Sequence, residues 1–75
     1  MQRNVPMFYD KKSDRWCVEL EDGSYELHCG DGFEIYLGQQ VLRCRIEKDR
    51  EWYVIFKDTN FNLRKSSTYQ VNYLY

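Results

Sequence analysis

The sequence has little of what catalysis or metal binding requires. Its 75 residues include one histidine, and the three cysteines, Cys17, Cys29 and Cys44, form no Cys-x-x-Cys pair. A structural zinc site takes four ligands at recognisable spacing, and a nucleophilic cysteine needs a base within reach. No apolar run approaches the ~18 residues that span a bilayer. The N-terminal Met-Gln-Arg-Asn-Val-Pro has no apolar signal core, so a soluble, cytoplasmic chain with reduced thiols is expected. Eleven Lys and Arg against twelve Asp and Glu leave a net charge of -1 and a pI near 5.7. That balance lacks the broad basic footprint of a general nucleic-acid binder.

Aromatic residues, by contrast, are abundant: seven Tyr, four Phe and two Trp. A chain this short makes one domain, residues 1–75, and buries only about 60% of its unfolded surface, so large side chains must fill its core.

The organising stretch is 41–57. Leu42, Cys44 and Ile46 alternate with Arg43, Arg45 and Glu47, which predicts a strand with one buried and one wet face. Across a charged turn, Trp52, Val54 and Phe56 share a face, and Tyr53 and Ile55 make the opposite face apolar as well. Upstream, Met7–Tyr9 is a short strand, with Pro6 limiting it to a sheet edge or an opening position. Trp16, Val18 and Leu20 alternate with Arg15, Cys17 and Glu19. The turn 21–24 leads into Tyr25–Leu27, and Phe33, Ile35 and Leu37 alternate with Glu34 and Tyr36. Between these, Gly30 and Gly32 mark a corner. Phe61 and Leu63 suggest a helical turn, and Tyr69 to Tyr75 a last strand with Tyr69, Val71, Tyr73 and Tyr75 on one face.

These periods predict an all-β domain of five to seven short antiparallel strands. A small SH3-like curled barrel is the expected form, with an oligonucleotide-binding-fold barrel as runner-up, because curling or closing a sheet protects its edges. The expected interior is Trp16, Val18, Leu27, Phe33, Ile35, Ile46, Val54 and Phe56.

The order Leu27-His28-Cys29-Gly30-Asp31, Phe33-Glu34, Arg45-Ile46-Glu47 and Trp52-Tyr53 resembles a family of small uncharacterised proteins. That family is catalogued as a domain of unknown function from Firmicute bacteria, their phages and integrative elements. The similarity runs from about Tyr9 to Ile55, and the tyrosine-rich tail after Val54 departs from it. The resemblance implies no activity or cofactor. It does imply a mobile-element setting, in which small proteins often bind and block host defence effectors such as CRISPR nucleases.

Each candidate site has a plainer explanation beside it. His28, Cys29 and Asp31 carry metal-ligand chemistry, yet a corner in which His28 hydrogen-bonds locally and Cys29 packs as a small hydrophobe accounts for them better, and no metal or cofactor is expected. Adjacent His28 and Cys29 point to opposite faces of an extended chain, so catalysis is not expected. Asp31 and Glu34 form a conceivable carboxylate pair, and a solvated turn explains them too. Tyr36, Tyr53, Arg43, Arg45, Arg64 and Lys65 supply stacking and charge for single-stranded nucleic acid or RNA. A barrel mouth holding a nucleotide is a third alternative. The leading expectation is a non-enzymatic module that binds a host protein, since interfaces enrich Tyr, Trp and Arg. Its surface would combine Arg43, Arg45 and Tyr53 with Tyr69, Tyr73 and Tyr75 of the last strand, itself available for adding to a partner sheet.

Overall fold

The computed structural model describes residues 2–73. In chain order its strands are β1 (Gln2–Asp10), β2 (Arg15–Leu20), β3 (Gly23–Glu26), β4 (Gly32–Leu37), β5 (Gln40–Lys48), β6 (Trp52–Phe56), β7 (Thr59–Asn62) and β8 (Tyr69–Tyr73). All eight belong to one antiparallel sheet in the order β3-β2-β1-β8-β4-β5-β6-β7. Two meanders, β1–β3 and β4–β7, are therefore joined side by side through β8. No helix among the described residues is long and apolar enough to cross a membrane.

The all-β reading holds, but the described residues form eight strands rather than five to seven, and they do not close into a barrel. The two end strands β3 and β7 are not hydrogen-bonded to each other. The sheet instead curls and covers its core with side chains. Phe61 on β7 meets Tyr69 on β8 edge to face at 6.2 Å, although β4, β5 and β6 lie between those strands in the sheet. Trp16 packs its ring between Tyr9 at 5.8 Å and Tyr69 at 5.7 Å. At the rim the Lys48 ammonium donates to the Asp14 carboxylate at 2.8 Å.

The alternation along each strand sets which face is buried. Met7, Trp16, Val18, Leu27, Phe33, Ile35, Ile46, Val54 and Val71 are fully shielded from solvent, with Cys44, Trp52 and Leu63 beside them. Phe56, expected inside, is only half-buried and packs against the edge of this cluster.

Three further expectations are corrected. The stretch 59–62 is strand β7, paired residue for residue with β6, and Phe61 belongs to a ladder rather than a helical turn. β8 is not a free edge, because β1 and β4 both pair with it. β1 is likewise interior, but its ladder to β2 begins only at Met7. Pro6 is thus paired on the β8 side alone, which is where a residue lacking an N–H is tolerated.

Candidate functional site

Register places Arg43, Arg45, Glu47, Tyr53 and Ile55 together on the outer face, away from the core. Arg45 stands opposite Ile55 and Gly32, Glu47 opposite Tyr53, and Arg43 opposite Glu34. Gly32 has no side chain to lay over Arg45, so a shallow hollow of about 300 Å³ opens there, bounded by Arg43, Arg45, Ile55 and Lys57. Arg43 and Lys57 are exposed and have no ion-pair partner among the described residues. Arg45 spends one guanidinium hydrogen on Glu47, its Nε donating to Oε2 at 3.0 Å. A second hollow, about 330 Å³, lies against Tyr53, Asn60 and Asn62 at the opposite end of the same face.

The tyrosines of the last strand do not join this surface. Phe33 pairs with both Tyr73 and Cys44, whereas Glu34 pairs with both Asn72 and Arg43. Tyr69 and Tyr73 therefore face the core, against which both pack. The Tyr69 hydroxyl also accepts the Arg64 backbone N–H at 2.9 Å, closing the 64–69 loop. Tyr75 lies outside the described residues.

On the outer face β8 instead presents Asn72, on the side opposite Tyr69, Val71 and Tyr73. It is only 2% exposed. Its Oδ1 accepts the Asn4 backbone N–H at 2.8 Å and the Tyr36 hydroxyl at 3.1 Å, and its Nδ2 donates to Glu34 Oε1 at 2.8 Å. Asn4 reaches it because β1 breaks register between Gln2 and Val5, with Asn4 at φ 54°. A left-handed residue in a bulge re-aims its amide in this way. Tyr36 and Glu34 are thereby committed to a structural network, and neither is a free stacking ring or a free carboxylate.

The His28-Cys29-Gly30-Asp31 corner is likewise structural. The Asp31 carboxylate accepts the His28 backbone N–H at 2.8 Å, the Gly30 N–H donates to the Ile46 carbonyl at 2.8 Å, and the Ile46 N–H returns to the Asp31 carbonyl at 3.0 Å. Gly30 takes φ 93°, a conformation that side chains rarely adopt. The corner is thus stitched to β5, with Leu27 driven into the core as its anchor. Among the described residues no group of three or more His, Cys, Asp or Glu side chains is placed to hold a metal ion.

The three thiols have separate environments. Cys29 is exposed, Cys44 is buried among core side chains, and Cys17 is buried on the outer face where it pairs with Phe8. Burial pushes the Cys44 thiol up to about 12 and raises Cys17 as well.

Residues 5–73 match the model of a family described as a domain of unknown function (DUF5348). No curated protein and no solved structure matches the chain.

Proposed function

The chain belongs to this family of unknown function, and since that description assigns no activity, we propose from the surface itself that the domain is a non-enzymatic protein-binding module. It acts through the outer face of β5 and β6, on a partner surface that carries acidic residues. The observation that supports this is the pairing of two exposed, unpartnered cations, Arg43 and Lys57, around the half-buried Ile55, with Arg45 and Tyr53 in register beside them. An apolar centre ringed by unsatisfied charge gains from an acidic partner, and a sheet face holds its side chains at little ordering cost. In the mobile-element setting implied by the family resemblance, that partner is a host defence effector.

Nucleic acid is the second reading, and Tyr53 beside Asn60 and Asn62 is what favours it: a ring flanked by amides can stack and hydrogen-bond an unpaired base. Affinity capture separates the two. The tagged domain should retain a protein that is released by raised salt. The double variant Arg43→Glu, Arg45→Glu should lose it while melting normally, since surface substitutions usually move stability by less than about 0.5 kcal/mol. Nuclease-sensitive absorbance in place of a protein would shift the reading to nucleic acid. A small molecule released on denaturation would shift it to ligand sequestration.

A further inference from the structure

We propose that the domain pairs with a second copy of itself along β7, edge to edge about a twofold axis through Phe61. This uses a different surface from the outer face of β5 and β6 and does not rest on the function proposed for that face.

The main-chain geometry comes first. β6 and β7 are joined by the two-residue turn Lys57-Asp58, which makes Phe56 and Thr59 a hydrogen-bonded pair. Hydrogen-bonded and non-hydrogen-bonded pairs then alternate along the ladder. The Leu63 N–H donates to the Trp52 carbonyl at 3.0 Å, which confirms the phase. Thr59, Phe61 and Leu63 thus turn their backbone groups toward β6, whereas Asn60 and Asn62 turn theirs outward, to the side where β7 has no neighbouring strand among the described residues. Proteins guard such edges with charged residues, proline or bulges. Thr-Asn-Phe-Asn contains neither charge nor proline, and its register to β6 is unbroken.

The exposed edge reads the same in both directions, Asn60-Phe61-Asn62. Turned on itself antiparallel, Asn60 falls opposite Asn62 of the second copy, so the two outward pairs exchange four N–H···O=C bonds. Phe61 then faces Phe61 of the second copy at a close non-hydrogen-bonded position, and its half-buried ring gains an aromatic partner. Beyond Thr59 opposite Leu63 of the second copy, Asp58 lies opposite Arg64, and the axis repeats that pair. Both residues are exposed, and neither has an ion-pair partner among the described residues. The next pair would oppose Lys57 to Lys65. Lys65 is drawn aside, its ammonium 4.9 Å from the centre of the Tyr9 ring.

The other edge contrasts with this one. β3 and its turn carry Glu21, Asp22 and Glu26, with Glu19 beside them on β2, all exposed, and a twofold there would bring like charges together. Charge therefore selects β7 over β3 for self-pairing.

Sedimentation velocity over a concentration series, from micromolar to millimolar, tests the proposal. The wild-type chain should move from monomer to dimer and no further. Asn60→Pro removes an outward N–H without touching the β6 ladder, so it should stay monomeric with an unchanged far-ultraviolet spectrum. Asp58→Arg should raise the dimer dissociation constant by about tenfold or more, and Asp58→Arg with Arg64→Asp should restore it. If Asn60→Pro fails to fold, that charge swap still decides. A wild-type chain that is monomeric at millimolar concentration overturns the proposal. So does a dimer indifferent to Asp58→Arg, or growth beyond dimers, which would mean β7 pairing with β3 of the next copy.

Discussion

Asp14 and Lys48 are 34 positions apart in the chain and meet at 2.8 Å, joining two hairpins whose strands are not directly paired with each other. Asp14 sits in the turn between β1 and β2, at φ 54°, and Lys48 ends β5. The Tyr9 hydroxyl donates to the second oxygen of the same carboxylate, and the Lys48 ammonium lies 5.3 Å from the centre of the Trp52 ring. The curled sheet, left open by its backbone, is held at this rim by a side-chain contact.

That contact makes stability pH-dependent. The hydrogen bond from Lys48, followed by the one from Tyr9, lowers the Asp14 carboxyl from 3.8 to about 2. A depressed carboxylate contributes stability that is fully present above its unfolded value and is lost as pH falls toward 2. Urea midpoints measured from pH 5 to pH 2 should therefore fall more steeply for the wild type than for Asp14→Asn, which keeps a residue type tolerant of positive φ. Equal slopes would show that the pair does not hold the rim.

Thiol accessibility gives a second expectation. With Cys29 exposed and the Cys17 and Cys44 thiols buried and raised, one thiol should react promptly with a chromogenic disulfide at neutral pH. All three should react once the chain is unfolded in denaturant. Prompt reaction of a second thiol under native conditions would contradict the packing of β2 or β5.

Lys57 bears backbone strain that glycine would not, because a two-residue hairpin turn takes positive φ at its first central position. It sits at φ 55° without being glycine, and the left-handed conformation costs an L-residue about 1–2 kcal/mol. Part of that is offset by the greater unfolded freedom of glycine. Lys57→Gly should therefore stabilise the domain by about 0.5–1 kcal/mol in a denaturant melt, and it should weaken partner binding if Lys57 contributes charge to the outer face.

The interior position of β8 gives a fourth. A chain cut after Thr68 leaves β1 and β4 without the strand that joins them, and its circular dichroism should show no cooperative melt. Ile35→Ala, at a fully buried site paired with Val71, should cost about 2–5 kcal/mol. A truncated chain that still melts cooperatively would mean the two meanders are independently stable.

Much of the local structure is legible in the sequence. Clean alternation in 15–20, 33–37 and 42–47 locates β2, β4 and β5 and their buried faces, because period two is a property of the strand alone, whereas β6 is legible as a short run apolar on both faces. Thr59–Asn62 escapes this reading, since one apolar residue among turn-forming neighbours shows no period. The order of strands is not local at all, so nothing near Tyr69 announces that it lies between β1 and β4. The same limit governs the site. Alternation groups Arg43, Arg45 and Tyr53 on one face, and it groups Tyr69 with Tyr73. It does not say that these groups lie on opposite sides of the sheet. Asn72 is hidden for a related reason: its burial depends on a bulge at Asn4, 68 positions away.

The seam through β8 also sets a timetable. Val5 pairs with Val71, so the first strand waits for nearly the whole sequence before its second neighbour exists. During synthesis the β1–β3 and β4–β7 meanders can each form behind the growing chain, but they remain two half-sheets with bare inner edges until Tyr69–Tyr73 has emerged. Pairings this distant in sequence are slow to close. The interval before β8 inserts is when the nascent domain is most exposed to aggregation, and a synonymous codon change that slows translation just upstream of Tyr69 would lengthen it without altering a single residue.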